Sequence, residues 1–122
     1  MSDSVPAVDL ALLDQTSSEM GADTAQERLD LVQAYLEQSD GWIDQLGSLA
    51  SGSDGEQAHR IAHALCSSSE LIGAVPLVTL LRQISKVSTE PTGLAVAIAA
   101  ARTEYRRVAV VLRTEYQLPP AP

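Results

Sequence analysis

Apolar residues recur along this chain at the steps of three and four residues that amphipathic helices require. In two long segments these positions are Leu29, Val32, Leu36, Ile43, Leu46 and Ala50, and then Leu94, Ile98, Ala101, Tyr105, Val108 and Leu112. No segment alternates apolar and polar residues between turn-forming residues, as a half-buried strand would. The pattern therefore predicts an all-α fold.

Capping residues, glycines and prolines divide the chain into five helical segments. We predict helices from about Asp9 to Met20, from Asp23 or Thr24 to Gly52, from Ser53 or Asp54 to Ile72, from Ala74 to Val87, and from Pro91 toward the proline-rich end. In the second helix Ser39-Asp40-Gly41 predicts a bend or a break, which Trp42 would plug.

Long amphipathic helices joined by short loops predict an antiparallel four-helix bundle, with the short N-terminal helix as an additional element across it. The chain has 122 residues, which suits one domain. We expect a short lead over residues 1–8, the bundle over about 9–117, and a flexible proline-rich tail over 118–122.

The composition is acidic, with a formal net charge of −8 and only 8 Lys and Arg residues. Such a surface repels phosphate backbones and anionic lipids, so nucleic acid and membranes are poor partners. No apolar run approaches the ~20 residues of a membrane helix, and the N-terminus lacks the basic and apolar blocks of a secretory signal. With Cys66 as its one cysteine the chain forms no internal disulfide, and we expect a cytoplasmic protein without membrane insertion.

The third predicted helix places one of the chain's two histidines, His63, in the middle of a polar stripe. At 100° per residue, the side chains nearest to it in angle are Glu56, His59, Arg60, Cys66, Ser67 and Glu70. The opposite side carries the apolar positions. The spacing therefore predicts an exposed imidazole.

The segment from Ala62 to Ala74 resembles the signature of the histidine phosphotransfer (HPt) family, approximately A-H-x-L-K-G-S-x-x-x-[IL]-G-A. The matching residues are Ala62, His63, Leu65, Ser68, Ile72, Gly73 and Ala74. Val8–Leu13 with Met20-Gly21 resembles the family's first helix and turn, and Leu29–Leu36 and Leu77–Ile84 resemble two of its other helices. The resemblance spans roughly residues 8–87.

The resemblance implies a phosphocarrier that is not an enzyme, in which His63 accepts a phosphoryl group from a receiver-domain aspartate and passes it to another receiver. A neutral imidazole nitrogen is the nucleophile, while the receiver supplies the metal ion and most of the electrostatic stabilisation. The implied partners are receiver domains and a hybrid sensor kinase, and the chain itself needs no cofactor or metal. The implied docking residues around His63 are His59, Arg60, Cys66, Ser67 and Glu70.

Two departures from the family pattern lie directly after the histidine. The family usually has Lys three residues on and Gly four residues on, where this chain has Cys66 and Ser67. Without that Lys the phosphorylated state has less electrostatic support, so the chain is alternatively a degenerate docking module that binds a receiver or kinase without phosphotransfer. A polar residue of the next helix often orients the imidazole, a role open to Gln83 or Ser85.

His59 and His63 form an H-x-x-x-H pair, so a third hypothesis is an unrelated bundle with a metal site. A metal site needs three or four ligands, and a convex helix surface spreads its side chains apart, which favours a solvated His59. Cys66 fits a small contact residue better than a redox sensor. Four arginines, Arg102, Arg106, Arg107 and Arg113, are best explained as the solvated face of the last helix, with a surface that complements an acidic partner as the alternative.

Overall fold

A computed structural model describes residues 5–50 and 54–119, and within these ranges the chain is helical with no strand. The elements are α1 (Leu10–Glu19), α2 (Ala25–Ser48), α3 (Gly55–Ile72), α4 (Val75–Lys86) and α5 (Pro91–Glu115). The predicted all-α class is confirmed.

Side-chain caps start the first three helices where the sequence predicts them. Asp9 accepts from the Leu12 N–H at 3.1 Å, and Asp54 accepts from the Gln57 N–H at 3.0 Å. At the start of α2 the two alternatives resolve to Thr24, because Thr24 and Glu27 form a reciprocal capping box. Of the alternative starts of α3, Ser53 lies outside the described residues, as does the predicted stop of α2 at Gly52.

The predicted bend in α2 is wrong, because the helix runs without interruption through Ser39-Asp40-Gly41. Ser39 is buried, and Asp40 is held by α5: it accepts from the Tyr105 hydroxyl at 2.5 Å and from Arg113 at 3.2 Å. These contacts favour helix at residues whose intrinsic preference is for turns. Because α2 has no bend at this point, Trp42 does not fill one; its side chain is partly buried against the core.

Helices α2 to α5 form the antiparallel bundle, in which α3 packs against α2 and α4, and α5 packs against α2 and α4. The additional helix α1 packs on α3. Its start is fixed to the end of α3, because the Asp9 N–H donates to the Gly73 carbonyl at 2.8 Å. Gly73 has a positive φ of 79°, which ends α3 and allows this close approach.

The core is built from Leu, Ile, Val and Ala side chains, and two tyrosines add polar connections between helices. The hydroxyl of Tyr35 on α2 lies 2.8 Å from that of Ser69 on α3. Tyr105 of α5 bonds Asp40 of α2, as described above. Burial raises the pKa of Tyr35 to about 12, so its hydroxyl stays protonated at neutral pH. The two bonds join α2 to both of its neighbours in the bundle.

The edges of the predicted domain contribute to the core more than we expected. Ala7 and Val8, in the predicted lead, are buried, and Leu118, in the predicted tail, packs on the core. Residues 1–4 and 120–122 lie outside the described residues, so most of the tail does too. None of the helices seen in residues 5–50 and 54–119 has the length and apolarity needed to cross a membrane.

Replacing Gly41 with Ala is expected to raise the free energy of unfolding by about 0.5–1 kcal/mol, because Ala is preferred inside an uninterrupted helix. A Cβ at this position meets no atom within 4 Å. Gly73→Ala is the matched comparison: the backbone is left-handed and the new Cβ would lie 2.8 Å from the Asp9 carbonyl oxygen. There we expect a loss of about 1–3 kcal/mol. Urea unfolding followed by circular dichroism measures both, and a destabilising Gly41→Ala would contradict a continuous α2.

Candidate functional site

Helix α3 buries one face in the bundle and leaves His63 on the other. Its buried residues are Ala58, Ile61, Ala62, Leu65, Cys66, Ser69 and Ile72. His63 itself is exposed, near the middle of the helix. The Asp54 cap and the Gly73 stop fix the two ends of α3, so the imidazole stands on a rigid element.

His63 lines a small recess in the seam between α3 and α4, with a volume of about 150 Å³. The residues that line it are Ala62, His63, Cys66, Ser67 and Glu70 from α3, and Leu81, Arg82 and Ser85 from α4. One side of the imidazole therefore faces a concave surface that a second helix completes.

His59 and Arg60 lie one turn before His63 and are both exposed. The His59 ring stacks on the His63 ring, with centroids 6.4 Å apart and planes 24° apart. Arg60 points the other way along the helix, donating to Glu56 at 3.2 Å and to Gln57 at 2.6 Å. Its guanidinium is thus engaged on the N-terminal side of the stripe, away from the recess.

Comparison with known proteins decides the family. The profile of the Hpt domain matches residues 30–116, which is more than half of the chain. The chain belongs to the Hpt domain family. Hpt domains are phosphocarriers that interact with receiver domains and kinases in phosphorelays. The match includes α5, which lies beyond the resemblance seen in the sequence, and leaves out α1, which lies within it.

A solved structure supports the same fold for this Hpt domain. The crystal structure of histidine-containing phosphotransfer protein B (HptB) from Pseudomonas aeruginosa PAO1 superposes with a TM-score of 0.81 at 19% sequence identity. The superposition covers 96% of this chain and 100% of the other. No curated protein sequence matches the chain.

Cys66 is the docking residue whose predicted position needs correction. The angular spacing placed it on the exposed stripe, but α4 covers that side of α3 and Cys66 is only 8% exposed. It lines the recess in this Hpt domain, so the expected exposure of its side chain is wrong, and its contact with a partner stays a prediction. Burial and the Glu70 carboxylate raise the pKa of the thiol, while the nearby Arg82 guanidinium opposes that rise.

Ser67 and Glu70 lie where the spacing predicts, exposed on the same stripe as His63. The Ser67 hydroxyl donates to the His63 carbonyl at 3.4 Å, a long bond back along the helix. Glu70 pairs with Arg82 of α4, with 3.0 Å between Oε2 and Nη2. The recess is therefore closed at one end by an ion pair between two helices.

Arg82 is the residue of this site that the sequence reasoning missed. Of the two α4 residues expected beside the imidazole, Ser85 lines the recess and Gln83 does not. Arg82 lies one turn before Ser85 on the same side of α4. The short connection between α3 and α4 could have indicated its position. In an antiparallel pair, residues equally distant from the turn lie at the same level, which sets Leu81 beside Cys66 and its neighbour Arg82 close to both.

The hypothesis of a metal site at His59 and His63 requires a third ligand, and the described residues place none beside them. Across residues 5–50 and 54–119, no three His, Cys, Asp or Glu side chains are grouped so that they would hold a metal ion. His59 and His63 stack on each other on a convex surface. The arrangement suits an exposed nucleophile rather than a coordination centre.

The charges around Cys66 predict how its thiol reacts with iodoacetamide. We expect alkylation at neutral pH to be slower than for the urea-unfolded chain, because burial raises the pKa of the thiol and the thiolate is the reactive form. Arg82→Gln should move the midpoint of the rate to higher pH, since it removes the cation that favours the thiolate. Glu70→Gln should move it to lower pH.

Mass spectrometry of the alkylated protein across a pH series measures these rates. Both variants break the same ion pair and differ in the sign of the charge removed, so opposite shifts report the effect of charge. Midpoints that move in the same direction would contradict the placement of both groups beside the thiol.

Proposed function

We propose that this protein is a phosphocarrier of a two-component phosphorelay that accepts a phosphoryl group on His63 and passes it to a receiver domain. The observation that carries the proposal is the place of His63: exposed in the middle of α3, on the recess between α3 and α4. The chain has two histidines, and His59 does not line the recess. The family to which the chain belongs supports the phosphorelay.

The transfer step needs only an unprotonated ring nitrogen from this chain. The nitrogen lone pair attacks the phosphorus of a receiver's aspartyl phosphate, an N–P bond forms, and the P–O bond to the aspartate breaks. The aspartate leaves as a carboxylate, and the ring keeps its other N–H proton until solvent removes it. Passing the group to a second receiver reverses these bonds, so no nucleotide is consumed and no kinase activity of its own is assigned to this chain.

We further propose that a receiver docks over the exposed stripe of α3. His59 and Arg60 form one side of this surface, and Ser67 and Glu70 form the other. Cys66 lies beneath it and lines the recess. A convex helix surface with a single small recess suits a partner that brings its own metal ion and phosphoryl-binding groups.

The proposed partners are receiver domains, including that of a hybrid sensor kinase, and the proposed compartment is the cytoplasm, where such receivers work. The net charge of −8 argues against a nucleic-acid partner, because a phosphate backbone would be repelled. No cofactor is assigned to the site.

The second candidate is a docking module that binds a receiver or kinase without accepting phosphate. It rests on Cys66 and Ser67, which stand where the family usually has Lys and Gly. In this case the exposed stripe on α3 would still dock a partner, and His63 would be dispensable for binding.

Incubating the chain with receiver domains encoded in the same genome, each loaded with radiolabelled phosphate, should transfer label to this chain. The label should be stable in base and labile in acid, as expected for a phosphoramidate. His63→Gln should abolish it, because the remaining histidine lies outside the recess, and His59→Gln should retain it. Gel autoradiography after each treatment measures transfer.

His59→Gln is the matched control, because it removes an exposed imidazole from the same helix one turn away. Label on His63→Gln equal to that on the wild type would contradict the assignment of His63. Binding of a receiver by titration calorimetry without any label on the wild type would favour the docking module.

A further inference from the structure

One cation completes the recess beside His63, and it comes from α4. Of the described residues that line the recess, Arg82 is the one cation and Glu70 the one anion. The two form an ion pair at 3.0 Å, so their charges cancel while His63 is unmodified. The recess is electrically balanced for a neutral imidazole.

Phosphorylation of His63 would disturb this balance. A phosphoryl group brings about −1.5 to −2 charges at neutral pH, and Glu70 on the same recess would repel it. Arg60, the other cation near His63, does not line the recess and contacts Glu56 and Gln57 on the N-terminal side of the stripe. The guanidinium already in the recess is therefore the group placed to compensate the new charge.

The ion pair that holds Arg82 is weak enough to be exchanged. The side chains of Arg82 and Glu70 are 60% and 51% exposed, and ion pairs in that setting contribute little to stability. A guanidinium matches phosphoryl oxygens in two parallel hydrogen bonds, which are shorter and stronger than those to neutral acceptors. A volume of about 150 Å³ admits a group of several heavy atoms, since a water molecule occupies about 30 Å³ in the liquid.

We propose that Arg82 is the phosphoryl-binding residue of this chain: when His63 is phosphorylated, its guanidinium leaves Glu70 and donates hydrogen bonds to the phosphoryl oxygens. This inference rests on the proposed function of His63. Glu70 keeps the guanidinium in the recess in the unmodified state and competes with the phosphoryl group in the modified one. Only hydrogen bonds are exchanged, because the covalent chemistry belongs to His63 and the receiver.

The test is the equilibrium constant for phosphoryl transfer between this chain and a receiver, from the fractions of both proteins phosphorylated at the plateau. This constant depends on the stability of the two phosphorylated proteins and not on how they dock, so a role in docking alone leaves it unchanged. Arg82→Gln should shift it about five- to thirty-fold toward the phosphorylated receiver, the loss expected for charge-assisted hydrogen bonds. Arg82→Lys, which keeps the charge, should recover part of the shift.

Two further variants separate this role from a general effect of charge. Lys86→Gln removes an exposed cation from the same helix one turn after Arg82, outside the recess, and should leave the constant within about twofold. Glu70→Gln frees the guanidinium and removes a repelling carboxylate, so it should shift the constant toward the phosphorylated chain. Equal shifts for Arg82→Gln and Lys86→Gln, or no shift for Arg82→Gln, would overturn the proposal.

A small phosphodonor separates failure of this inference from failure of the proposed function. Potassium phosphoramidate transfers its phosphoryl group directly to an accessible imidazole and releases ammonia. If it labels the wild type at His63 and the Arg82 Nε–H resonance shifts on labelling while that of Arg60 does not, the inference is supported. If His63 is labelled and neither resonance moves, Arg82 is not the phosphoryl-binding residue although His63 remains the acceptor. If neither phosphoramidate nor a phosphorylated receiver labels the chain, the proposed function itself fails.

Discussion

The packing of α3 into the bundle is the constraint on which the site depends. Leu65 and Ile72 of α3, with Leu77 and Leu81 of α4, are removed from water completely, and the contact fixes the rotation of α3 about its axis. The apolar stripe therefore determines which residues face solvent, and His63 lies opposite the buried residues. A slip of a single residue would turn the imidazole by about 100° toward the core. The hydrophobic effect, which has no part in the proposed chemistry, thus orients the proposed nucleophile.

The turn at Gly73-Ala74 sets the level of α4 against α3 and so decides which side chains share the recess. Cys66 lies seven residues before Gly73, and Leu81 lies seven residues after Ala74, so the two come to the same height in an antiparallel pair. Arg82 follows Leu81 and reaches Glu70 across the seam. Gly73, whose left-handed backbone makes this turn tight, accepts a hydrogen bond at its carbonyl from the Asp9 N–H. One backbone position therefore couples the first helix, the turn and the charge pair next to His63.

Periodicity and capping residues predicted most of the fold, because both are local. The capping box at Thr24 and the glycine stop at Gly73 mark helix ends through interactions within a few residues, and the 3.6-residue period identifies the buried face. The errors within the helices arise from contacts between helices. The segment Ser39-Asp40-Gly41 has the composition of a helix break, but Tyr105 and Arg113 hold Asp40 within the helix. The angular position of Cys66 predicts an exposed side chain, but α4 covers it. The position of Arg82 in the recess could not be predicted for the same reason, because it depends on the register between α3 and α4.

In the proposed phosphorelay this chain contributes a small share of the chemistry: an exposed imidazole, a recess and one exchangeable cation. The most direct test of the proposed role of His63 is a pulse-chase in which a phosphorylated receiver loads the wild-type chain and a second, unphosphorylated receiver is then added, with the modified residue mapped by tandem mass spectrometry at each stage. We expect phosphate on His63 after the pulse and its loss to the second receiver during the chase. Phosphate found on any other residue, or retained on the chain through the chase, would contradict it.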